Sequence, residues 1–334
     1  MKYEKLSIPY MGSKRKIAEG LFDVMLQVKP RAKYFYDLFG GGGAMSFHAL
    51  QRGMEVVYND KDTDMAALMD FLIGRIRNGD RSKYGLLPED WYRFITREDF
   101  DEIKKQTGAY AQFVRICYSF GNHCQSYRYG KEIQDFQKNY HNTVIYGDLN
   151  SFRSMNTFVG GTLTYPNFNT PHDRRMSLVS QLGRLNKTKG KSLGYKRLDC
   201  AQSLQSMQRI GDINRINCDL NLQTRKGPFD KVVISTPFDE TIVYLDPPYI
   251  GTMGVSTYKE QCSHESLYDY MRNSKYTCFL SEYTAPFEFI YTKNVPKFIP
   301  QKKQATERLF INRYPDDYNP QPTQGSLLDL SIKK

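Results

Sequence analysis

Residues 34–60 limit this chain more than any other stretch. An apolar run, YFYDLF (34 to 39), leads into four consecutive glycines. A helical segment follows near Ala44 to Arg52, and then a second apolar run, EVVYND (55 to 60). Upstream, Ser13 can cap a helix whose apolar positions Ile17, Leu21, Val24, Met25 and Val28 repeat at helical spacing, with Pro30 ending it. Downstream, Thr63 is placed to cap a helix running to about Asn78. Strand and helix alternating over the first 80 residues predict an α/β fold: a parallel sheet with helices on its faces.

The alternation breaks between about 82 and 200, where Tyr, Arg, Asn and Gly dominate. It returns with a helical segment near Ala201 to Ile210, strands near Ile213 to Cys218 and at TIVYL (241 to 245), and a helix near His264 to Asn273. Strands at YTCFLSEY (276 to 283) and ERLFIN (307 to 312) complete it. The expected organisation is one core built from 1–81 and 201–312, an inserted region at 82–200, and an extended tail from 313 to 334 rich in Pro, Asn and Gln.

Of the 334 residues 40% are apolar and 25% charged, as in an ordinary water-soluble domain. The longest apolar runs fall far short of the ~20 residues a membrane span needs. The N-terminal stretch lacks the apolar run of a signal peptide. Six scattered cysteines without a CxxC pair suit a reducing compartment and argue against a disulfide framework or a zinc site. A bacterial cytoplasm is the expected location. Net charge is +11. The span from Arg174 to Leu198 holds Arg174, Arg175, Arg184, Lys187, Lys189, Lys191, Lys196 and Arg197 with no acidic residue. That is either a solvated loop or a phosphate-binding one.

Glycines between a strand and a helix let the backbone turn tightly and approach a ligand. Asp60 ends the next strand about 20 residues on, where a carboxylate can accept hydrogen bonds from ribose hydroxyls. A nicotinamide cofactor is one reading, but the third glycine position of that fingerprint is Ser46. No Gly-Lys-Ser/Thr follows, so a phosphate-binding P-loop is excluded. A ligand with ribose and no phosphate suits the loop better, and S-adenosylmethionine is such a ligand.

YLDPPY (244 to 249) ends an apolar strand with a carboxylate, two prolines and an aromatic ring. Proline removes a ladder donor and stiffens the backbone around the peptide it flanks. Methyl transfer to an exocyclic amine calls for such a corner. Two acceptors, the Asp246 carboxylate and the Pro247 carbonyl, can hold the N–H bonds and draw electron density onto nitrogen. Pro248 fixes the aim of that carbonyl, and Tyr249 can stack on the base. The base must first leave the duplex. Catalysis would then be positioning and electrostatics without a covalent intermediate.

These residues resemble the α-group, Dam-like (D12 class) DNA adenine-N6 methyltransferases. The likeness is carried by PYMGSKRKI (Pro9 to Ile17), DLFGGGG (Asp37 to Gly43), YND (Tyr58 to Asp60), CDL (Cys218 to Leu220) and DPPY, in the α-group order. The resemblance implies a Rossmann-like, class I S-adenosylmethionine-dependent sheet of seven strands, the last antiparallel, with an inserted target-recognition region. It implies that Tyr10, Met11, Gly12 and Lys14 help enclose the cofactor. Asp37, Phe39, Gly40, Gly41, Gly42 and Gly43 would lie along its methionine part, with Asp60 on the ribose, Asp219 beside the adenine and Asp246 close by. The partner is double-stranded DNA. No metal is expected. A monomer or weak dimer, a cognate restriction enzyme and a phage or prophage branch go with the likeness.

Within the insertion, ICYSFGNHCQSYRYGKEI (116 to 133) resembles a variant of the family's recognition stretch. Tyr118, Asn122, Gln125, Tyr127 and Arg128 are its candidate base readers, and Phe120 is expected in the core. The basic stretch, from Arg174 and Arg175 through Arg184, Lys187, Lys189 and Lys191, would contact phosphates. The alternatives are a cytosine-N4 or RNA adenine methyltransferase, a silent DNA-binding homologue and a nicotinamide dehydrogenase. Asp246, where cytosine-N4 enzymes more often carry serine, favours adenine.

Overall fold

The structure is a computed structural model that describes residues 3–188, 202–249, 263–296 and 304–316. The chain divides into two compact units. The first holds Ser13–Ala66 with the described residues of Met1–Leu6 and of Ile216–Lys334; the second holds Ser7–Gly12 and the described residues of Ala67–Arg215.

The first unit is built on a seven-stranded sheet. Its strands are β1 (Tyr34–Asp37), β2 (Glu55–Asp60), β3 (Leu222–Lys226), β4 (Thr241–Leu245), β5 (Thr277–Glu282), β6 (Glu288–Pro296) and β7 (Gln304–Ile311), in the spatial order β3-β2-β1-β4-β5-β7-β6. The first five are mutually parallel and β7 runs antiparallel to both its neighbours. This is the mixed class I methyltransferase-type sheet that the alternation and the resemblance anticipated. All five residues of β4 are buried, as a central parallel strand covered on both faces requires. Tyr36, Leu38, Val243, Leu245, Cys278, Leu280 and Phe310 pack with Leu267 and Met271 of a helix, α10 (His264–Asn273), in one core. Elsewhere Phe22 packs on Phe35, and Phe35 on Tyr244. Phe22 belongs to α1 (Ala18–Val28); α2 (Ala44–Gln51) follows the glycine loop.

Several local expectations need correction. Ser13 makes no capping hydrogen bond, because a short 3-10 turn at Lys14–Lys16 intervenes before α1. Asp62, not Thr63, caps α3 (Thr63–Arg77): its Oδ1 accepts the N–H groups of Asp64 and Met65. Ile213 to Cys218 is not a strand but starts in a 3-10 turn at Asp212–Arg215, and β3 begins only at Leu222. As an edge strand with one buried side chain, β3 has no hydrophobic alternation to read. β6, half-exposed over Glu288 to Lys293 and paired among the described strands with β7, has no counterpart among the strands expected from the sequence.

The described part of the second unit is helical: α4 (Arg97–Ile103), α5 (Ala109–Tyr118), α6 (Gln134–Tyr146), α7 (Leu149–Phe158), α8 (Pro171–Thr188) and α9 (Gln202–Gly211). Thr96 and Asp99 cap α4 reciprocally, and Asp148 caps α7. The tyrosine-rich composition is spent on a core: Trp91, Phe94, Phe113, Tyr118, Tyr127, Tyr129 and Tyr140 are buried. No helix among the described residues is long and apolar enough to cross a membrane.

Candidate active site

β1, β2 and β4 place Asp37, Asp60 and Asp246 at or just beyond their carboxyl ends. In open α/β sheets this is the edge where ligands bind. The glycine loop leaves β1 here. Gly40 donates to the Asn59 carbonyl at 2.7 Å, and Gly43 to the Gly40 carbonyl at 2.8 Å. Gly41 and Gly43 have φ of 47° and 72°, the left-handed region where glycine carries no Cβ penalty. Gly40 is dictated by space instead: a Cβ there would lie 2.1 Å from Cε2 of the buried Tyr58 ring. The Tyr58 hydroxyl donates to the Gly41 carbonyl at 2.8 Å, tying β2 to the loop.

Asp60 performs the same coupling with charge. One carboxylate oxygen accepts the Gly41 N–H at 2.7 Å and the other the Asp62 N–H at 2.8 Å. Burial nonetheless pushes Asp60 up to about 6. Asp37, buried beneath the loop, accepts from the Ser46 hydroxyl at 2.7 Å. Burial pushes it up to about 7, against the Ser46 hydrogen bond and with Asp246 and Asp60 adding to the rise.

At the end of β4, both oxygens of Asp246 accept from Lys14 Nζ, at 2.6 and 2.8 Å. Burial raises the Asp246 carboxyl to about 6; Lys14 opposes that rise and Glu307 adds to it. The Asp246 side chain keeps 18% of its surface, so it can be reached from outside. The same Lys14 nitrogen stands 4.7 Å from the centre of the Tyr249 ring and 3.6 Å from Glu307 on β7. The Tyr249 hydroxyl donates to Glu307, and its ring meets Tyr283 edge-on.

Three carboxylates crowded at one sheet edge, each raised by burial, form a site that favours a cationic ligand. S-adenosylmethionine carries a sulfonium and an ammonium, and its ribose offers hydroxyl donors. The donor set and the close-approach glycines fit it.

Against this geometry, the family model for D12 class N6 adenine-specific DNA methyltransferases matches residues 10–288. The chain belongs to that family. It is an S-adenosylmethionine-dependent enzyme that methylates the N6 amine of adenine in DNA. Among curated proteins, no match was found.

The other residues expected to serve the methyltransferase fall into two groups. Tyr10, Met11 and Gly12 group with the second unit and Lys14 with the first. Asp219 is a correction. It precedes β3 by three residues, and Asn221 accepts from Val56 at the start of β2. Asp219 therefore lies at the amino edge of the sheet. β3 alone spans roughly 16 Å to the opposite edge. The residues that do leave β3 at the carboxyl edge are Gly227, Pro228 and Phe229. Gly227 donates to the Asp60 carbonyl and accepts from Asn59, both at 3.0 Å, and Phe229 stacks on Phe39 with centroids 5.2 Å apart. Gly-Pro after the strand was the available signal, and misplacing β3 hid it.

In the second unit, burial removes three of the expected DNA contacts. Tyr118 is fully buried and donates to the Arg93 carbonyl at 3.1 Å, and Tyr127 is buried and donates to the Ile95 carbonyl at 2.7 Å. Arg174 is buried and gives its guanidinium to the carbonyls of Val144, Ile145, Phe168 and Asn169. Asn122 is half-buried and donates to the Ile116 carbonyl and Ser206 hydroxyl. Arg128 clamps the Ser119 carbonyl and reaches Gln202. Arg175 donates to Gln208. Gln125 and Arg184 are exposed. Lys187 lies on α8, and Lys189, Lys191, Lys196 and Arg197 fall outside the described residues.

Phe120 reverses its expectation: 55% exposed, it stands on a turn where Gly121, Asn122 and Cys124 all have positive φ. Such backbone costs of order 1–3 kcal/mol per non-glycine residue and persists only where its surroundings hold it. Arg128 on the Ser119 carbonyl and the Ser119 hydroxyl on the Cys124 N–H do the holding.

Proposed function

We propose that Asp246, the Pro247 carbonyl and Tyr249 receive the extruded adenine, the two oxygens accepting its N6 hydrogens while the ring stacks on its face. Asp246 carries this reading: it is a carboxylate with accessible surface at the end of the central strand, beside the two other carboxylates of the same sheet edge. S-adenosylmethionine, when bound, would supply the methyl on its sulfonium to the N6 lone pair, the S–C electron pair staying on sulfur and the surplus amine proton leaving to water. Asp246 and the Pro247 carbonyl orient the lone pair, which otherwise delocalises into the purine. Asp37, Asp60 and the loop Gly40–Gly43 hold the cofactor, and Phe39 with Phe229 forms an apolar wall beside it.

The second unit is proposed to read the DNA target, with Phe120, Gln125 and Arg184 among the groups presented to it. The same reading extends to protection of host or phage DNA from a cognate restriction enzyme of the same specificity.

Transfer of tritium from labelled S-adenosylmethionine to duplex DNA tests the reading, with modified adenines mapped by sequencing in cells expressing the protein. Asp246→Ala is expected to abolish incorporation while DNA binding by gel shift stays within a few-fold. Incorporation within a few-fold of wild type would remove Asp246 from the chemistry.

A further inference from the structure

The ammonium of Lys14 occupies both places that the target base needs. It donates to both oxygens of Asp246, and it stands over the face of Tyr249, 4.7 Å from the ring centre. While Lys14 stays, it competes with an adenine for that carboxylate and covers one face of that ring. Lys14 is buried, and a buried ammonium that loses its carboxylate is strongly destabilised. The alternative partner is already at hand: Glu307, buried on β7, has Oε1 at 3.6 Å from Lys14 Nζ. Less than an ångström separates that distance from a charge-assisted hydrogen bond of about 2.8 Å, a gap that rotation of the lysine's terminal bonds can close. Glu307 also accepts from the Tyr249 hydroxyl, so the acceptor and the stacking ring are fixed to each other.

We propose that Glu307 is a positioning residue for the methyl transfer: it takes over the Lys14 ammonium when the adenine amine claims Asp246, so that the buried cation stays paired. In the base-free state Lys14 holds Asp246 in the orientation the amine will use. This inference rests on the reading that Asp246 accepts the N6 hydrogens.

The test is a double-mutant cycle read by single-turnover methylation of a duplex carrying the mapped target. Glu307→Gln in the Lys14 background is expected to slow methylation about tenfold, because Lys14 then competes with the base. In a Lys14→Met background the same change is expected to cost under about twofold. Equal cost in both backgrounds would overturn the handover. A binding measurement separates this from a merely structural role. The wild-type preference for adenine over purine at the target position, a difference of one amine, is expected to fall severalfold in Glu307→Gln, with affinity for S-adenosylmethionine unchanged and Glu307→Asp restoring part of the preference. An unchanged preference would defeat the proposal. Should the variants fail to fold, a crystal structure of the wild-type enzyme with target duplex and S-adenosylhomocysteine decides: Lys14 on Glu307 supports the handover, and Lys14 still on both oxygens of Asp246 beside a bound adenine refutes it. Activity retained in Asp246→Ala would instead sink the underlying reading, so the two failures are distinguishable.

Discussion

Asp37 and Asp60 show how a residue's ionisation becomes a property of the enzyme. Both are raised above the ordinary carboxylate range by burial, to about 7 and about 6. A raised carboxyl favours folding in its neutral form. Its contribution is full below the unfolded-state value near 4 and is lost as pH rises through the folded value. The ligand-free protein is therefore expected to lose stability between about pH 4 and 7 at these two groups. A cationic ligand stabilises their charged forms. The gain in melting temperature on adding S-adenosylmethionine should be larger at pH 8 than at pH 5.5, and calorimetry in buffers of different ionisation enthalpy should show proton release near pH 6.5. Gly40→Ala drives a methyl group into the Tyr58 ring. It should weaken cofactor binding at least tenfold by calorimetry, on the order of 1.4 kcal/mol or more. Asp37, Asp60 and Asp246 were legible because each stands inside a short local motif. The Lys14–Asp246 pair, 232 residues apart in sequence, was not, since no local pattern records which distant carboxylate an ammonium meets.

At the scale of elements, α8 and the turn after α5 separate charge from contact. Arg174 lies in the basic stretch, yet it satisfies four backbone carbonyls. Arg174→Ala is expected to lower the melting temperature, at a cost of roughly 3 kcal/mol for carbonyls left unpaired in a buried site. The salt dependence of DNA affinity should not change. Arg184→Ala should do the reverse, reducing the slope of log affinity against log salt by about one. Phe120→Ala should lower affinity for duplex DNA severalfold and leave S-adenosylmethionine binding intact; equal affinities in a filter-binding assay would exclude the ring from the interface. Strand and helix alternation made the core elements readable. It failed for β3, where pairing with β2 supplies the structure and the residues LQTRK supply no pattern. It failed again for the tyrosine cluster, because aromatic side chains fill a helical core and bind nucleic acid with equal aptitude.

For the molecule as a whole, the sheet order places β1 between β2 and β4, and Tyr34 pairs with Thr241. These partners are 241 − 34 = 207 residues apart. A ribosome adding about 5–20 residues per second needs on the order of ten to forty seconds between the two. The whole of 67–215 is synthesised in that interval. β3, the other neighbour of β2, also comes only near the end of that interval, so the nascent β1–β2 pair must wait with both hydrogen-bonding edges open, surfaces that invite pairing with other chains. A chaperone that shields those edges until LQTRK and TIVYL arrive should raise the soluble yield of this enzyme more than any change to its surface charge.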